Sequence, residues 1–482
     1  MKKKYLIIVF LITAISGCKK FLEEKPQGIV VGDIAISNID GLQAQLAGAY
    51  SAFVDGWTMG FASAGQIACA MGADDLTSRD GLNKQDFLEF DQFNVTPFNA
   101  RADYVWAGCY KIIQCANNII NNYEKVDGDK DQITQIAGEA YFLRAFSYYY
   151  LVRLWGKVPL ITTAVYSKEL LETPRSEISD VYQQIESDLT QAEGMVGNTK
   201  VDNGRPNKGT VKAYLAAVYL TETGWPLKDA SKASLAAQTA KDVIDNHEAY
   251  GFDLYQGADY QKIFANAYQE YVFAIMTNGT GVDNCFYGAS TRPSEETGGW
   301  DDYCAEINFY KNFPAGKRKD GTFSTTFDVN GTVKNYDQFG IKHPYYKKFR
   351  IQSGDTLSYV SNSPIIFMRY SEVLLTYAEA EARAGAPNAD AYAAINAVRE
   401  RAGLDDLTPG LGSEEFVKAV IQERAWEFAG EWHRWFDLVR TETVGEANSH
   451  RADGEVPLIG DPNNHDLWLL PIPAGDAGFL NH

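Results

Sequence analysis

The residues best spaced to do chemistry in this 482-residue chain lie near its end. Glu423, Glu427 and Glu431 recur every fourth position, Arg434 follows three further on, and Asp437 and Arg440 repeat the three-residue step. Side chains three or four apart share one face of a helix. With His433 beside them, the carboxylates could form a catalytic acid cluster. Alternating signs, however, satisfy one another instead of driving two carboxylate pKa values apart, which acid–base catalysis needs. The spacing therefore reads as a charge ladder that ties helices together, and Arg144 and Arg153 read the same way.

Other chemical signatures fail on spacing. The six histidines show no i,i+4 pair and no HExxH, and no Cys/His spacing suits zinc, so no metal centre is expected. Asp127-x-Asp129-x-Asp131 opens like a calcium loop. Gln132 then stands where glycine is required and Gly138 where glutamate is required, so the segment reads as a helix–helix turn. Gly204 and Gly209 have the spacing of a phosphate cradle, but Thr210 occupies the lysine position. No GxSxG elbow occurs, and no cofactor is expected. A glycosidase needs two opposed carboxylates, and 63 acidic residues leave that open as a minor alternative.

Cys18 carries a different chemistry. Lys2, Lys3 and Lys4 precede a mostly apolar run at 5–15, which as a helix would rise only about 17 Å against a hydrocarbon core of roughly 30 Å. Residues 1–17 thus read as a signal peptide. The small pair Ser16-Gly17 is followed by Cys18, a thiol placed where a lipoprotein-processing system attaches diacylglycerol before cleavage. The mature chain is expected to start at Cys18 and hang from a membrane by acyl chains, each buried methylene contributing about 0.8 kcal/mol. Five cysteines remain. Cys109 and Cys115 lie about 240° apart around a helix and cannot bridge, whereas Cys285 and Cys304 flank a loop-rich segment and could pair.

A net charge of −19 should repel nucleic acid and anionic head groups, so no nucleic-acid partner is expected. No later stretch is long and apolar enough to span a bilayer.

The elements that position these residues follow from periodicity. Apolar residues at helical spacing predict helices at 40–53, 102–123, 133–155, 177–193, 210–223 (capped at Gly209-Thr210) and 231–246. A second block predicts helices at 370–384, 388–401, 414–428 and 432–440. Short turns between helices with wide apolar faces imply stacked pairs of the tetratricopeptide kind, without a legible 34-residue repeat. Between the blocks, 251–367 turns rich in Gly, Asn, Asp and aromatics, with short strands expected at 271–276 and 365–369. The stretch 56–99 has the same flavour. Long loop regions inside a folded chain are usually functional.

Taken together, certain motifs resemble the SusD/RagB family. They are the run from Gly138 to Leu160 through Arg144-Ala-Phe-Ser-Tyr-Tyr-Tyr and Trp155-Gly-Lys-Val-Pro, then Gly204-Arg205-Pro206 before the helix at 211–220, and Met368-Arg-Tyr-Ser-Glu. Ala378-Glu379-Ala380, Ala394-Ile-Asn-Ala-Val-Arg399, Glu423-Arg-Ala-Trp-Glu-Phe428, Arg434-Trp-Phe-Asp-Leu-Val-Arg440 and Trp468-Leu-Leu-Pro-Ile-Pro473 complete the set. The resemblance covers nearly the whole mature chain. It implies a mostly α, SusD-like stack of tetratricopeptide-type helix pairs, forming one domain over 18–482. The helical scaffold would occupy 29–250 and 368–445, and the ligand-facing, partly β insertion 251–367. It also implies a cell-surface lipoprotein, anchored in the outer membrane, that captures oligosaccharides and delivers them to a SusC-type TonB-dependent transporter. Glu23-Glu24 resembles the family's surface-export signal, set off from Cys18 by Lys19-Lys20. Capture of peptides is an alternative, because some relatives serve peptide importers.

A sugar ring offers one face of C–H groups and a rim of hydroxyls. Its site wants an aromatic plane plus carboxylates, amides or arginine. Two loop regions hold those ingredients: Trp57, Asp74, Asp75, Arg79 and Asn83 in one, and Tyr287, Arg292, Trp300, Asp301 and Tyr303 in the other. Trp57 and Trp300, in glycine-flanked settings, are expected to form an exposed aromatic surface.

Overall fold

Asparagine and aspartate side chains start many of the scaffold helices. The computed structural model describes residues 36–476 apart from 55–59, 62–64, 82, 165–169, 171, 258, 278–284, 297 and 351–361. Its principal helices are α1 (Ile39–Ser51), α2 (Ala100–Ile120), α3 (Lys130–Trp155), α4 (Ile178–Met195) and α5 (Lys208–Glu222). They continue as α6 (Lys232–Asp245), α7 (Tyr370–Ala384), α8 (Ala389–Ala402), α9 (Ser413–Glu427) and α10 (Arg434–Arg440). Asn38, Asn99, Asp129, Asn207 and Asn388 each accept a backbone N–H of the first turn, a cap typically worth about 1 kcal/mol. Asp129, from the calcium-like triplet, is thus a helix cap. The cap of α5 is Asn207 and not Gly209-Thr210, because an amide oxygen reaches the Thr210 N–H at 2.9 Å.

Each helix packs on its neighbour: α2 on α3, α3 on α4, α4 on α5 and α5 on α6. The row does not stop there. Helix α7, about 125 residues further along the chain, packs on α6 and then on α8 and α9. Helix α6 buries Ala233, Ala236, Ala237, Ala240 and Val243, and such small side chains let its neighbours approach closely. The two helical blocks therefore share one apolar core.

The intervening segment supplies most of the strands, β1 (Leu76–Thr77), β2 (Tyr271–Ile275), β3 (Cys304–Ala305), β4 (Phe323–Ser324), β5 (Thr326–Val329), β6 (Thr332–Asn335), β7 (Tyr345–Tyr346) and β8 (Ile365–Arg369). They form antiparallel two-stranded ribbons, β1 with β3, β2 with β8, β4 with β7 and β5 with β6. Strands β2 and β8 are buried along their whole length, with Ile275 opposite Ile365 and Ala274 opposite Ile366. Their rings join those of the helices: Phe273 and Phe367 lie 5.4 and 5.0 Å from Phe146 of α3, and Phe367 lies 5.5 Å from Phe53. Edge-to-face packing of this kind adds about 0.5–1.5 kcal/mol per pair beyond the burial itself.

The charge ladder is present, but not on one helix. Helix α9 ends at Glu427, and the chain turns through Gly430, at φ +73°, before α10 begins. A side chain at Gly430 would run into the Tyr346 ring. The rungs reach across the fold: Glu423 to Arg318 and Arg399, Glu427 to Arg318, Arg369 and Arg401, and Glu431 to Lys348 and Arg369. Burial pushes the Glu427 carboxyl up, but Arg401, Arg369 and Arg318 together outweigh it and hold it well below the ordinary range. His433 pairs with Glu372 at 3.4 Å, and Glu372 also meets Arg424. These are structural pairs.

Arg144 forms a two-pronged pair with Asp188, at 2.8 and 2.6 Å, tying α3 to α4. Arg153 lies over the rings of Tyr149 and Phe436, at 3.7 and 3.9 Å. Cys285 and Cys304 are separate, buried thiols, so the pairing left open by the sequence is not made. Among the described residues, no helix is long and apolar enough to cross a membrane.

Candidate functional site

The ribbon of β1 and β3 carries the two loop regions toward each other. Beyond one end of it, the Ser78 hydroxyl donates to the Asp302 carbonyl at 2.7 Å, Arg79 pairs with Asp301 at 3.1 Å, and Lys84 pairs with Asp302. The loop that follows Phe286 is held tightly. Trp300 N–H donates to the Ala289 carbonyl, Asp301 N–H donates to Arg292, and Asp301 takes a left-handed φ of 62°. Tyr345 donates its hydroxyl to the Asp301 carboxylate, and Arg350 grips Glu296 at 2.8 Å. On this frame Trp300 is half-buried and stacks on Phe286, with ring centres 5.3 Å apart and planes 25° from parallel. A tryptophan braced from beneath is a rigid platform. Arg79 and Arg292 are part-exposed and Asn83 is exposed.

The other expected residues separate by burial. Tyr287 is fully buried, donates to the Phe61 carbonyl at 3.0 Å and meets the Trp432 ring at 4.7 Å. Tyr303 is also buried, with its ring against Tyr346. Both are core residues in this structure, Tyr287 opening the short helix Tyr287–Ser290 and Tyr303 standing just before β3. Asp75 is fully buried and accepts from the Gly430 N–H at 2.9 Å. Burial pushes its carboxyl up to about 7 against the pull of that hydrogen bond. Asp74 holds Arg434 of α10 in a two-pronged pair, at 2.7 and 2.9 Å. Trp57 and Cys18 lie outside the described residues.

Sequence reasoning missed Phe286, Lys84 and Asp302. It also missed a cleft of about 600 Å³ beyond the other end of the ribbon, where Asp74 and Glu306 meet Phe309, Gln422, Trp426 and Glu446. One signal was available: Lys418, Gln422 and Trp426 are spaced by four on α9, a mixed stripe beside the buried face of Glu423 and Glu427. Among the described residues, no group of His, Cys, Asp and Glu is arranged to hold a metal ion.

Residues 83–476 match the model of the SusD family. The chain belongs to that family. It is 30% identical to SusD-like protein P2 of Formosa agariphila, over 98% of this chain and 97% of that one. Among solved structures, a SusD homologue from Bacteroides thetaiotaomicron superposes with a TM-score of 0.79 at 23% identity, over 93% of this chain and 96% of that one. A laminarin-binding SusD-like protein superposes with a TM-score of 0.75 at 24% identity, over 92% and 98%. The helix row and its inserted ribbons are therefore the SusD fold.

Proposed function

We propose that this SusD-family chain is a cell-surface glycan-binding lipoprotein. It captures oligosaccharides and hands them to a SusC-type TonB-dependent transporter, without turning them over. The observation that carries the reading is the half-buried Trp300 ring, braced on Phe286, with Arg79 paired to the adjacent Asp301 and Lys84 to Asp302. That arrangement suits the apolar face and hydroxyl rim of a sugar. The fold neighbour described as laminarin-binding supports the same class of ligand. Acids of the Trp300 loop favour binding over hydrolysis: Asp301 is engaged by Arg79 and Tyr345, Asp302 by Lys84 and Glu296 by Arg350. Opposed catalytic carboxylates need one free acid and one free base. Cys18 would supply the lipid anchor, and the leader before it the route to the membrane.

The reading is tested by calorimetry of the detergent-solubilised chain against a panel of α-glucan, β-glucan, xylan and mannan oligosaccharides, and by mild-detergent pull-down from its native host. A saccharide bound without product over time, and co-purification of a large barrel, are expected. Absence of any binder overturns the glycan assignment, and recovery only as a free monomer overturns the transporter assignment.

A further inference from the structure

The cleft beside Trp426 is distinct from the Trp300 surface, since none of its lining residues comes from the 286–302 loop. One wall is a stripe of α9, Lys418, Ile421, Gln422 and Trp426, whose spacing sets them on one side of the helix. A second is the short helix Ile307–Asn312, which contributes Asn308, Phe309 and Asn312. Trp426 and Phe309 are both half-buried, and the amides of Gln422 and Asn312 are exposed.

Glu306, also lining the cleft, points to a ligand independently. Its side chain is only 3% exposed, and its Oε1 has no hydrogen-bond partner among the described residues. Arg451 Nε, 3.2 Å away, attracts that oxygen as a charge without forming a hydrogen bond to it. Buried polar atoms in folded proteins are normally satisfied, and Glu306, a residue of the cleft lining, keeps one carboxyl oxygen without a hydrogen-bond partner. The charges lining the cleft are mixed, with Asp74, Glu306 and Glu446 against Lys418 and Arg434, and Asp74 and Arg434 already neutralise each other. Such a lining selects neither an anion nor a cation. Its volume of about 600 Å³ lies within the range of small-molecule sites.

We propose that this cleft is a second saccharide-binding site. It takes a neutral oligosaccharide segment on the rings of Trp426 and Phe309, with Gln422, Asn312 and Glu306 on its hydroxyls; the inference rests on the glycan-binding function proposed above. The β1–β3 ribbon links the two sites. Asp302 at one end and Glu306 at the other are four residues apart, at most about 14 Å of extended chain.

The test labels the detergent-solubilised chain with 5-fluorotryptophan and titrates it with the same oligosaccharide panel. Trp426→Phe and Trp300→Phe assign the two signals. With a binding hexasaccharide, the Trp426 signal should shift as well as that of Trp300. Gln422→Ala, which alters an exposed amide, should weaken binding three- to tenfold with an unchanged melting temperature. A saccharide that shifts Trp300 but leaves the Trp426 signal and the Gln422→Ala affinity unchanged overturns the second site and leaves the glycan function standing. A shift at Trp426 alone supports the cleft and removes Trp300 from the site. A panel with no binder overturns both.

Discussion

Arg369 sets its Nη1 2.7 Å from the Oε1 of Glu427, with both side chains at most 1% exposed. Around that pair, Arg401 and Arg318 also contact Glu427, the Tyr260 hydroxyl donates to it at 2.8 Å, and Glu270 and Glu431 contact Arg369. Removing one partner from a buried set leaves the opposite charge uncompensated, at a cost of about 3–5 kcal/mol. Glu427→Gln leaves Arg318, Arg369 and Arg401 to share Glu423, Glu431 and Glu270, with one negative charge fewer, so its denaturant midpoint should fall by that much in free energy. A loss under about 1 kcal/mol in urea unfolding would show that the cluster relaxes or hydrates, contrary to this account.

Asp75 predicts a pH dependence of the opposite sense to that of arginine-paired acids such as Glu427. Its carboxyl is raised to about 7, against 3.8 in the unfolded chain, chiefly by burial. Below the lower value the proton is bound in both states. Between the two values the unfolded chain releases it and the folded protein keeps it, so stability declines by about 1.4 kcal/mol per pH unit as pH rises. Above 7 the penalty is constant. Asp75→Asn should therefore be more stable than the parent at pH 8, with the advantage shrinking as pH falls toward 4. Thermal melts across that range check it, and parallel curves would sink it.

Trp300 and Tyr287 should part company on substitution. Trp300→Ala is expected to weaken saccharide binding several-fold to tenfold while the melting temperature scarcely moves, because its ring is only half-buried. Tyr287→Phe removes a buried hydroxyl bonded to Phe61 and Gln66 and should cost about 1 kcal/mol of stability with affinity intact. Calorimetry and melts on both variants decide this, and the reversed pattern would return Trp300 to the core.

Cys18→Ala tests the anchor. Without the thiol there is nothing to acylate, and the protein should no longer partition with the outer membrane or be cut by protease added to whole cells. Retention and surface cleavage in that variant would mean that something other than Cys18 holds the chain there.

Helices were legible in the sequence wherever an apolar face repeats. The span 370–384 coincides with α7, and the two expected strands are β2 and β8, since runs such as Ile365-Ile-Phe-Met have few other uses. Pairing was not legible, because β2 finds its partner about ninety residues further along the chain. The ladder at 423–440 reads correctly as structural, yet spacing implied neighbours on one helix, whereas Glu427 finds Arg318 and Tyr260 in the inserted segment. The site was the least legible part. Tyr287 and Trp300 both stand in aromatic, glycine-rich loop sequence, and only tertiary packing puts one ring under the surface and the other at it. Trp426 lay hidden for the reverse reason, an open ring on a helix that otherwise reads as scaffold.

The buried ion cluster divides the inserted segment into parts that differ in how freely they can be exchanged. Tyr260, Glu270, Arg318 and Lys348 reach into it, so the backbone around them is fixed by the helices it must neutralise. Among the described residues, the 286–302 loop sends no side chain there; its ion pairs go to Arg79, Lys84 and Arg350. Transplanting 292–302 between relatives, together with those three partners, is therefore a route to a new ligand preference that leaves the buried Tyr287 and the ion cluster in place. A graft that crosses Arg318 or Lys348 would have to carry matching acids on α9 and on the turn that follows it.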